Sequence, residues 1–156
     1  MNPVRIQVAA AGDEPGLVAV LAGLFAEDPG TRDPSVSQEW PHRAGLSSVK
    51  AWMADTNRLV LAATDGAAIV GILTGILTEP TDYRPVRVAT LHSLYVSSAY
   101  RDRGVGSQLV AEFRSWARNR RAQRMSVTAY AANTDAIRFY QRHAFAPRLL
   151  ELDGEP

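Results

Sequence analysis

Near the amino terminus apolar and polar residues alternate: Val4, Ile6 and Val8 are separated by Arg5 and Gln7. A period of two is that of a half-buried strand, so residues 2–9 read as the first strand. The period then changes. Leu17, Val20, Leu21, Leu24 and Phe25 recur at helical spacing. They follow Asp13 and Glu14, whose charge suits the positive end of a helix. The run stops at Asp28-Pro29-Gly30. Residues 31–41 read as a loop, with Pro34, Ser35, Ser37 and Pro41. Val49, Trp52 and Met53 mark a short second helix over 46–55.

Residues 58–64 and 67–78 are apolar runs of strand length. Asp65-Gly66 joins them with a tight-turn signal, which makes them a hairpin. A loop over 79–85 leads to a long strand, 86–97, rich in Val, Leu, Thr and Tyr. Val105, Leu109, Val110, Phe113, Trp116 and Ala117 form the apolar stripe of an amphipathic helix over 104–120. Met125, Val127 and Ala129 alternate in a strand over 125–131. Ile137, Phe139 and Tyr140 fall in a helix over 133–143. Residues 145–152 read as a last strand, and 153–156 as a polar tail.

An antiparallel meander thus leads into a strand–helix–strand unit. That order predicts an α/β domain of the α+β type, its mixed, mainly antiparallel sheet of about six to seven strands flanked by about four helices. At 156 residues the chain suits one domain over 1–156, since a core serves roughly 100–200 residues. No repeat or linker interrupts it.

Composition narrows the functions. No run approaches the roughly 18 apolar residues of a membrane span, so no membrane partner is expected. The first fifteen residues lack a basic segment followed by a long apolar one, so no signal peptide is read and a cytoplasmic location is expected. Cysteine is absent, which removes disulfides, thiolate metal sites and cysteine nucleophiles. His42, His92 and His143 are too scattered to predict a metal site. Formal net charge is +1, but residues 101–124 carry seven arginines against Asp102 and Glu112. This stripe lacks interleaved aromatics on its polar face. It reads as a solvated helix face that favours an anionic cofactor, and nucleic acid is not expected as a partner.

The most informative stretch is Arg101-Asp102-Arg103-Gly104-Val105-Gly106-Ser107. A strand ends, a polar loop follows, and a helix starts at two glycines. The first N–H groups of a helix lack intrahelical partners and carry the positive end of its dipole. Glycines let a phosphate approach them, so such a terminus binds phosphate readily. The loop lacks the Gly-Lys-Ser/Thr ending of a P-loop. Leu109 stands where a dinucleotide fingerprint wants a small residue. Coenzyme A pyrophosphate, or a glycine-capped helix that binds nothing, remain as readings.

Arg101-x-x-Gly104-x-Gly106 between a strand and an amphipathic helix resembles the acetyl-CoA signature of the GNAT N-acetyltransferase superfamily. A second family motif accompanies it, Asn133-x-x-Ala136-x-x-x-Tyr140 followed by Phe145. The element order is similar to the acyl-CoA N-acyltransferase fold over essentially the whole chain. The family pattern has glycine before that phenylalanine. Ala144 stands here instead, and a different helix exit is expected.

The resemblance implies that the backbone of Leu94, Tyr95 and Val96 pairs with the pantetheine arm as an added strand would. The N–H groups from Arg101 through Asp102, Arg103, Gly104, Val105 and Gly106 to Ser107 would hold the pyrophosphate. Asn133, beside Ala136, would reach the pantetheine or cap its helix. Tyr140 would lie at the cofactor sulfur and protonate or stabilise the departing thiolate; its alternative is a core tyrosine. The stretch 90–96, Thr-Leu-His-Ser-Leu-Tyr-Val, is similar to the arylalkylamine acetyltransferase branch, where a histidine on this strand takes part in proton removal. His92 is therefore the candidate base, or a residue that merely lines the site. Alternation places it on one face with Leu94 and Val96.

The acceptor pocket implied by the family holds Glu27, Asp28 and Trp40, with Tyr83 beyond. Acidic and aromatic groups suit a cationic amine, and a solvated loop is the other reading. The expected activity is direct acetyl transfer from acetyl-CoA to a primary amine of a small molecule or peptide, without metal. The alternatives are a non-catalytic acyl-CoA-binding regulatory module and a nucleotide-binding protein. The last strand is a candidate edge for a homodimer.

Overall fold

A computed structural model describes residues 3–156. Its sheet has five strands in chain order. β1 (Arg5–Val8), β2 (Arg58–Asp65), β3 (Ala68–Thr78) and β4 (Val88–Val96) are successive antiparallel neighbours, and β5 (Arg124–Val127) joins β4 in parallel. The mixed, mainly antiparallel architecture follows the expected element order. The strand count is lower than expected, because residues 145–152 join no ladder. An apolar run becomes a strand only where a neighbour accepts its backbone and something covers its side chains. Here Leu149, Leu150 and Leu152 remain exposed. Residue 2, at the head of the first expected strand, lies outside the described residues.

The helices are α1 (Glu14–Glu27), the single turn α2 (Pro29–Arg32), α3 (Trp40–Ala54), α4 (Val105–Asn119) and α5 (Thr134–Arg142). α3 starts earlier than residue 46 because Pro41 is in its first turn. There a missing N–H costs no helical bond and the fixed φ suits the helix. A proline read as a breaker is in fact an opener.

Both faces of the sheet are covered. α4 lays Val105, Leu109, Val110, Phe113 and Ala117 on Leu61, Leu73, Ala89 and Leu91. α1 and α3 set Leu17, Leu21 and Val49 against Val60, Ala62 and Ile72 on the other face. Gly75 makes the α4 contact possible, since a Cβ there would stand 2.9 Å from the Phe113 ring.

α5 leaves through Ala144, whose φ is +63°. The Ala144 N–H donates to Gln141 O at 3.1 Å and the Phe145 N–H to Tyr140 O at 3.0 Å. This is the double-bonded left-handed exit in which glycine is usual. The expected different exit is thus corrected: alanine adopts the glycine conformation. What holds it there is the contact of Phe145 with Tyr140, rings edge to face with centroids 5.8 Å apart.

Candidate active site

β4 and β5 stay in register from Val88↔Arg124 to Leu91↔Val127 and then part. β4 continues to Val96, paired only with β3. The backbone of Leu94–Val96 therefore has no strand on its β5 side. A cleft opens inside the sheet, with the glycine loop at its end.

At that loop Gly104 caps α4 with φ +77°. A Cβ there would meet nothing within 4 Å, so the backbone angle is what asks for glycine. Asp102 is left-handed too, at φ +59°. The first backbone bond of the helix runs from the Gln108 N–H to Gly104 O at 3.0 Å. The N–H groups of Val105, Gly106 and Ser107 are thus left without helical partners. Gly106 meets a different demand. A Cβ there would sit 3.3 Å from the Phe139 ring, so it sets the approach of α5 to α4. His143 spans the same contact, its Nε2 3.0 Å from Ser107 Oγ.

One expectation for Arg101, that its backbone N–H is open to the pyrophosphate, is corrected. Its N–H already donates to Ser98 O at 3.2 Å. Its guanidinium faces Glu27 and not the loop amides: Nη2 donates to Glu27 Oε2 at 2.6 Å and Nε to Val96 O at 2.8 Å. The guanidinium also lies 5.2 Å from the Tyr95 ring centroid. The Tyr95 hydroxyl completes the cluster, donating to Glu27 Oε1 at 2.9 Å. Burial pulls the Glu27 carboxyl up, but the bonds from Arg101 and Tyr95 and the Arg101 charge outweigh it, and the net shift is downward. A carboxylate held by two donors and lowered in pKa is a weakened base, and its contacts tie α1 to β4.

Across the cleft Asn133 caps α5, its Oδ1 accepting from the Ala136 N–H at 3.1 Å. Its Nδ2 donates to Asp28 Oδ1 at 2.8 Å, which also accepts from Arg32 Nε at 2.7 Å. The Tyr130 hydroxyl reaches Asp33 Oδ2 at 3.4 Å. These contacts join the α1–α2 corner to the loop after β5. Sequence reasoning did not find Tyr130; its signal was its place three residues beyond the strand that lines the cleft.

Tyr140 is half-buried among Phe139 and Phe145. Its hydroxyl has no hydrogen-bond partner among the described residues. Burial, and then the charge of Asp28, hold its phenol far above the ordinary value, so it stays protonated.

β4 carries a bulge at His92. Thr74 pairs with Ser93 and Gly75 with Leu91, which leaves His92 as the extra residue. Leu91, Leu94 and Val96 all pack toward α4, whereas Tyr95 packs toward α1 and α3. The expectation that His92 shares a face with Leu94 and Val96 is thus overturned, because one inserted residue flips the alternation. His92 is exposed to solvent. Packing around it, and then the Arg58 charge, hold its imidazole below the usual value and neutral at pH 7. Beside the bulge the Thr74 hydroxyl is buried, 2% exposed, without a partner among the described residues.

The sequence model of the acetyltransferase (GNAT) family matches residues 24–145, most of the chain. The protein belongs to this family. Solved structures agree in fold. A protein titled a transcriptional regulator from Bacillus halodurans C-125 is 27% identical with a TM-score of 0.79, covering 97% of this chain and 99% of that one. A mutant protein from Bacillus halodurans superposes with a TM-score of 0.88 at 15% identity, covering 97% and 99%. The aminoglycoside N-acetyltransferase AAC(6')-Iy, solved with CoA, gives 0.77 at 15%, covering 100% and 96%. No curated protein matches the chain in sequence.

On the α1–α3 side of this GNAT sheet, Trp40 stacks on Phe25 at 5.2 Å and on Trp52 at 6.0 Å. Arg58 lies 5.7 Å from the Trp52 ring centroid, which continues the row toward His92. Trp40 therefore packs α3 on α1, and stacking covers its ring. Tyr83 does not join Glu27, Asp28 and Trp40. It is 94% exposed in the loop between Thr78 and Val88, at the end of β4 away from the glycine loop. Among the described residues no cluster of three or more His, Cys, Asp or Glu side chains is placed to hold a metal ion. No helix among them is long and apolar enough to cross a membrane.

Proposed function

We propose that this GNAT protein is an N-acetyltransferase that moves acetyl from acetyl-CoA directly to a primary amine of a small molecule or peptide. The observation that carries this reading is the parting of β4 and β5 beside the left-handed Gly104. The interior of a sheet is where backbone groups are normally satisfied. An open run at Leu94–Val96, ending on unpartnered helix N–H groups, suits an extended amide-bearing chain that terminates in phosphates. The AAC(6')-Iy structure in complex with CoA supports the same donor.

Residues 1–156 act as one domain in this reading. Val105, Gly106 and Ser107 hold the pyrophosphate through their N–H groups, with Asp102, Arg103 and Gly104 shaping the turn. Asn133 and Ala136 fix the start of α5, and so the position of Tyr140. In the reaction the amine nitrogen attacks the thioester carbonyl, the C–S bond breaks, and the sulfur leaves as thiolate. A thiol ionises near ~8.5, well below the raised Tyr140 phenol. Full proton transfer from Tyr140 is therefore uphill, and its part is a hydrogen bond to the leaving sulfur. An acceptor ammonium, near pKa ~10.4, must lose a proton before or as it attacks. His92, neutral and exposed, receives it or passes it to solvent. Asp28 and Asp33 at the α1–α2 corner supply the acidic rim that favours a cationic acceptor.

Thermal unfolding with acetyl-CoA, against ATP as control, is the first test. Donor at about 100 times its Kd adds ~2.7 kcal/mol, a rise of roughly 2–4 °C or more. Thiol release across an amine panel then tests turnover. No rise at millimolar donor overturns the reading. A rise without thiol release from any amine would favour the regulatory acyl-CoA-binding module. The transcriptional-regulator title of the 27% identical structure is what keeps that second reading in view.

A further inference from the structure

The second half of α4 and the start of β5 form a pocket remote from the cleft. Its volume is about 170 Å³, and Arg114, Arg118, Gln123 and Arg124 line it together with Ala117 and Met125. Arg118 lies about 21 Å from Gly104 along the helix axis, at a rise of ~1.5 Å per residue. Arg124 stands opposite Val88, at the closed end of the β4–β5 ladder, whereas the cleft opens beyond Val127. The pocket is therefore no part of the donor site.

The polar side chains of this lining are three guanidiniums and one amide. The amide oxygen, Gln123 Oε1, already accepts from the Arg87 N–H at 2.8 Å, which leaves the amide N–H groups to offer. Arg114 Nη2 donates to His143 O at 2.6 Å. Arg118 is exposed, and no carboxylate pairs with it among the described residues. Arg124 Nε is buried without an acceptor among the described residues. No Asp or Glu among them lines the pocket. Burial, and then the like charges of Arg148 and Arg84, lower the pKa of Arg124. A buried guanidinium N–H without an acceptor costs free energy, and so does the crowding of like charges. A cationic lining that offers donors, with one buried N–H left over, is the complement of an anion.

We propose that this pocket is a second anion site, separate from the donor cleft, which takes a small organic carboxylate. A planar guanidinium fork matches the two oxygens of a carboxylate, and the bond between them is charge-assisted. Arg124 holds the anion from β5 and Arg118 holds it from α4, so the ligand bridges the helix to the sheet. The orphaned Arg124 Nε–H gains its acceptor, and the gathered positive charge gains its counter-charge. Ala117 and Met125 give the carbon body of the ligand apolar contact, which a bare inorganic anion cannot use.

Citrate is the probe, and nitrogen–proton correlation spectra of the full chain read the Arg124 Nε–H directly. Its peak is the one missing from Arg124→Lys. Millimolar citrate, added at constant ionic strength, should move that peak to saturation. Arg118→Gln, at an exposed position, should keep the fold and weaken citrate at least tenfold, since a hydrogen bond to a charged group is lost. Citrate should also raise the Tm of the wild-type chain more than that of Arg118→Gln. An unmoved Arg124 peak overturns the proposal. So does a shift that sodium chloride reproduces, or one that inorganic phosphate produces at lower concentration than citrate does. A citrate affinity untouched by Arg118→Gln overturns it as well. The readout is at Arg124, so it stands or falls apart from acetyl transfer.

Discussion

β4 is one strand with two neighbourhoods. From Val88 to Leu91 it is flanked by β3 and β5, and Ala89 and Leu91 are sealed under α4. From Leu94 to Val96 it keeps β3 alone. The residue types hardly differ between the halves; both are apolar and alternating. What differs is the bulge at His92 and the end of β5 at Val127. The first half contributes stability because its polar backbone is satisfied. The second half has no strand on its β5 side, where Val96 O accepts from Arg101 Nε, and that open side is what the proposed function uses.

The sharpest way to break this comparison is to exchange the consequences of mutation. Leu91→Ala, in the closed half, should cost about 2–5 kcal/mol of unfolding free energy by leaving a cavity under α4. Residual folded protein should bind acetyl-CoA with nearly wild-type affinity. Urea unfolding and calorimetric titration read the two effects apart. Tyr140→Phe should do the reverse. Its hydroxyl has no partner to lose, so stability should change by less than about 0.5 kcal/mol. Turnover should fall by roughly 10²-fold if the phenol stabilises the leaving thiolate. Unchanged kcat would remove Tyr140 from the chemistry.

His92 sharpens the boundary between the halves. The packing that desolvates part of its ring, and then Arg58, disfavour its charged form, so its pKa is lowered. Protonated imidazole accepts no proton, so kcat/KM should fall as pH drops through that lowered value and be level above it. Arg58→Gln removes the lesser of the two causes. The acid limb should then move toward higher pH, and His92→Gln should abolish it. An acid limb that ignores both substitutions belongs to another group.

Much of this was legible in the chain. Apolar runs joined by the Asp65-Gly66 turn located β2 and β3, strand-prone residue types located β4, and the stripe from Val105 to Ala117 located α4, because burial on one face writes its period into sequence. Gly104 and Gly106 were legible as a pair, yet for different reasons: one takes a left-handed angle, the other lets Phe139 approach. The engagement of Arg101 with Glu27 was not legible, since residues 74 positions apart meet only through the fold. Nor was the bulge, because one extra residue leaves no mark on composition. The side of β4 that His92 occupies depended on it. Residues 145–152 had a strand's pattern without a strand's neighbour within the chain.

The smallest expected effect concerns the exit of α5, at the border of the open half. Ala144 is held at φ +63°, where a Cβ crowds the backbone at a cost of roughly 1–2 kcal/mol. Glycine removes that crowding but widens the unfolded ensemble, which returns about 0.4–1 kcal/mol. Ala144→Gly should therefore stabilise the protein by about 0.5–1 kcal/mol, a rise in Tm of roughly 1–4 °C. The Phe145–Tyr140 contact should persist, since both exit hydrogen bonds are backbone bonds that glycine keeps. Turnover should then stay at the wild-type level. A stabilised variant with lost turnover would show that the strained alanine, and not only the bonds around it, sets where Tyr140 stands.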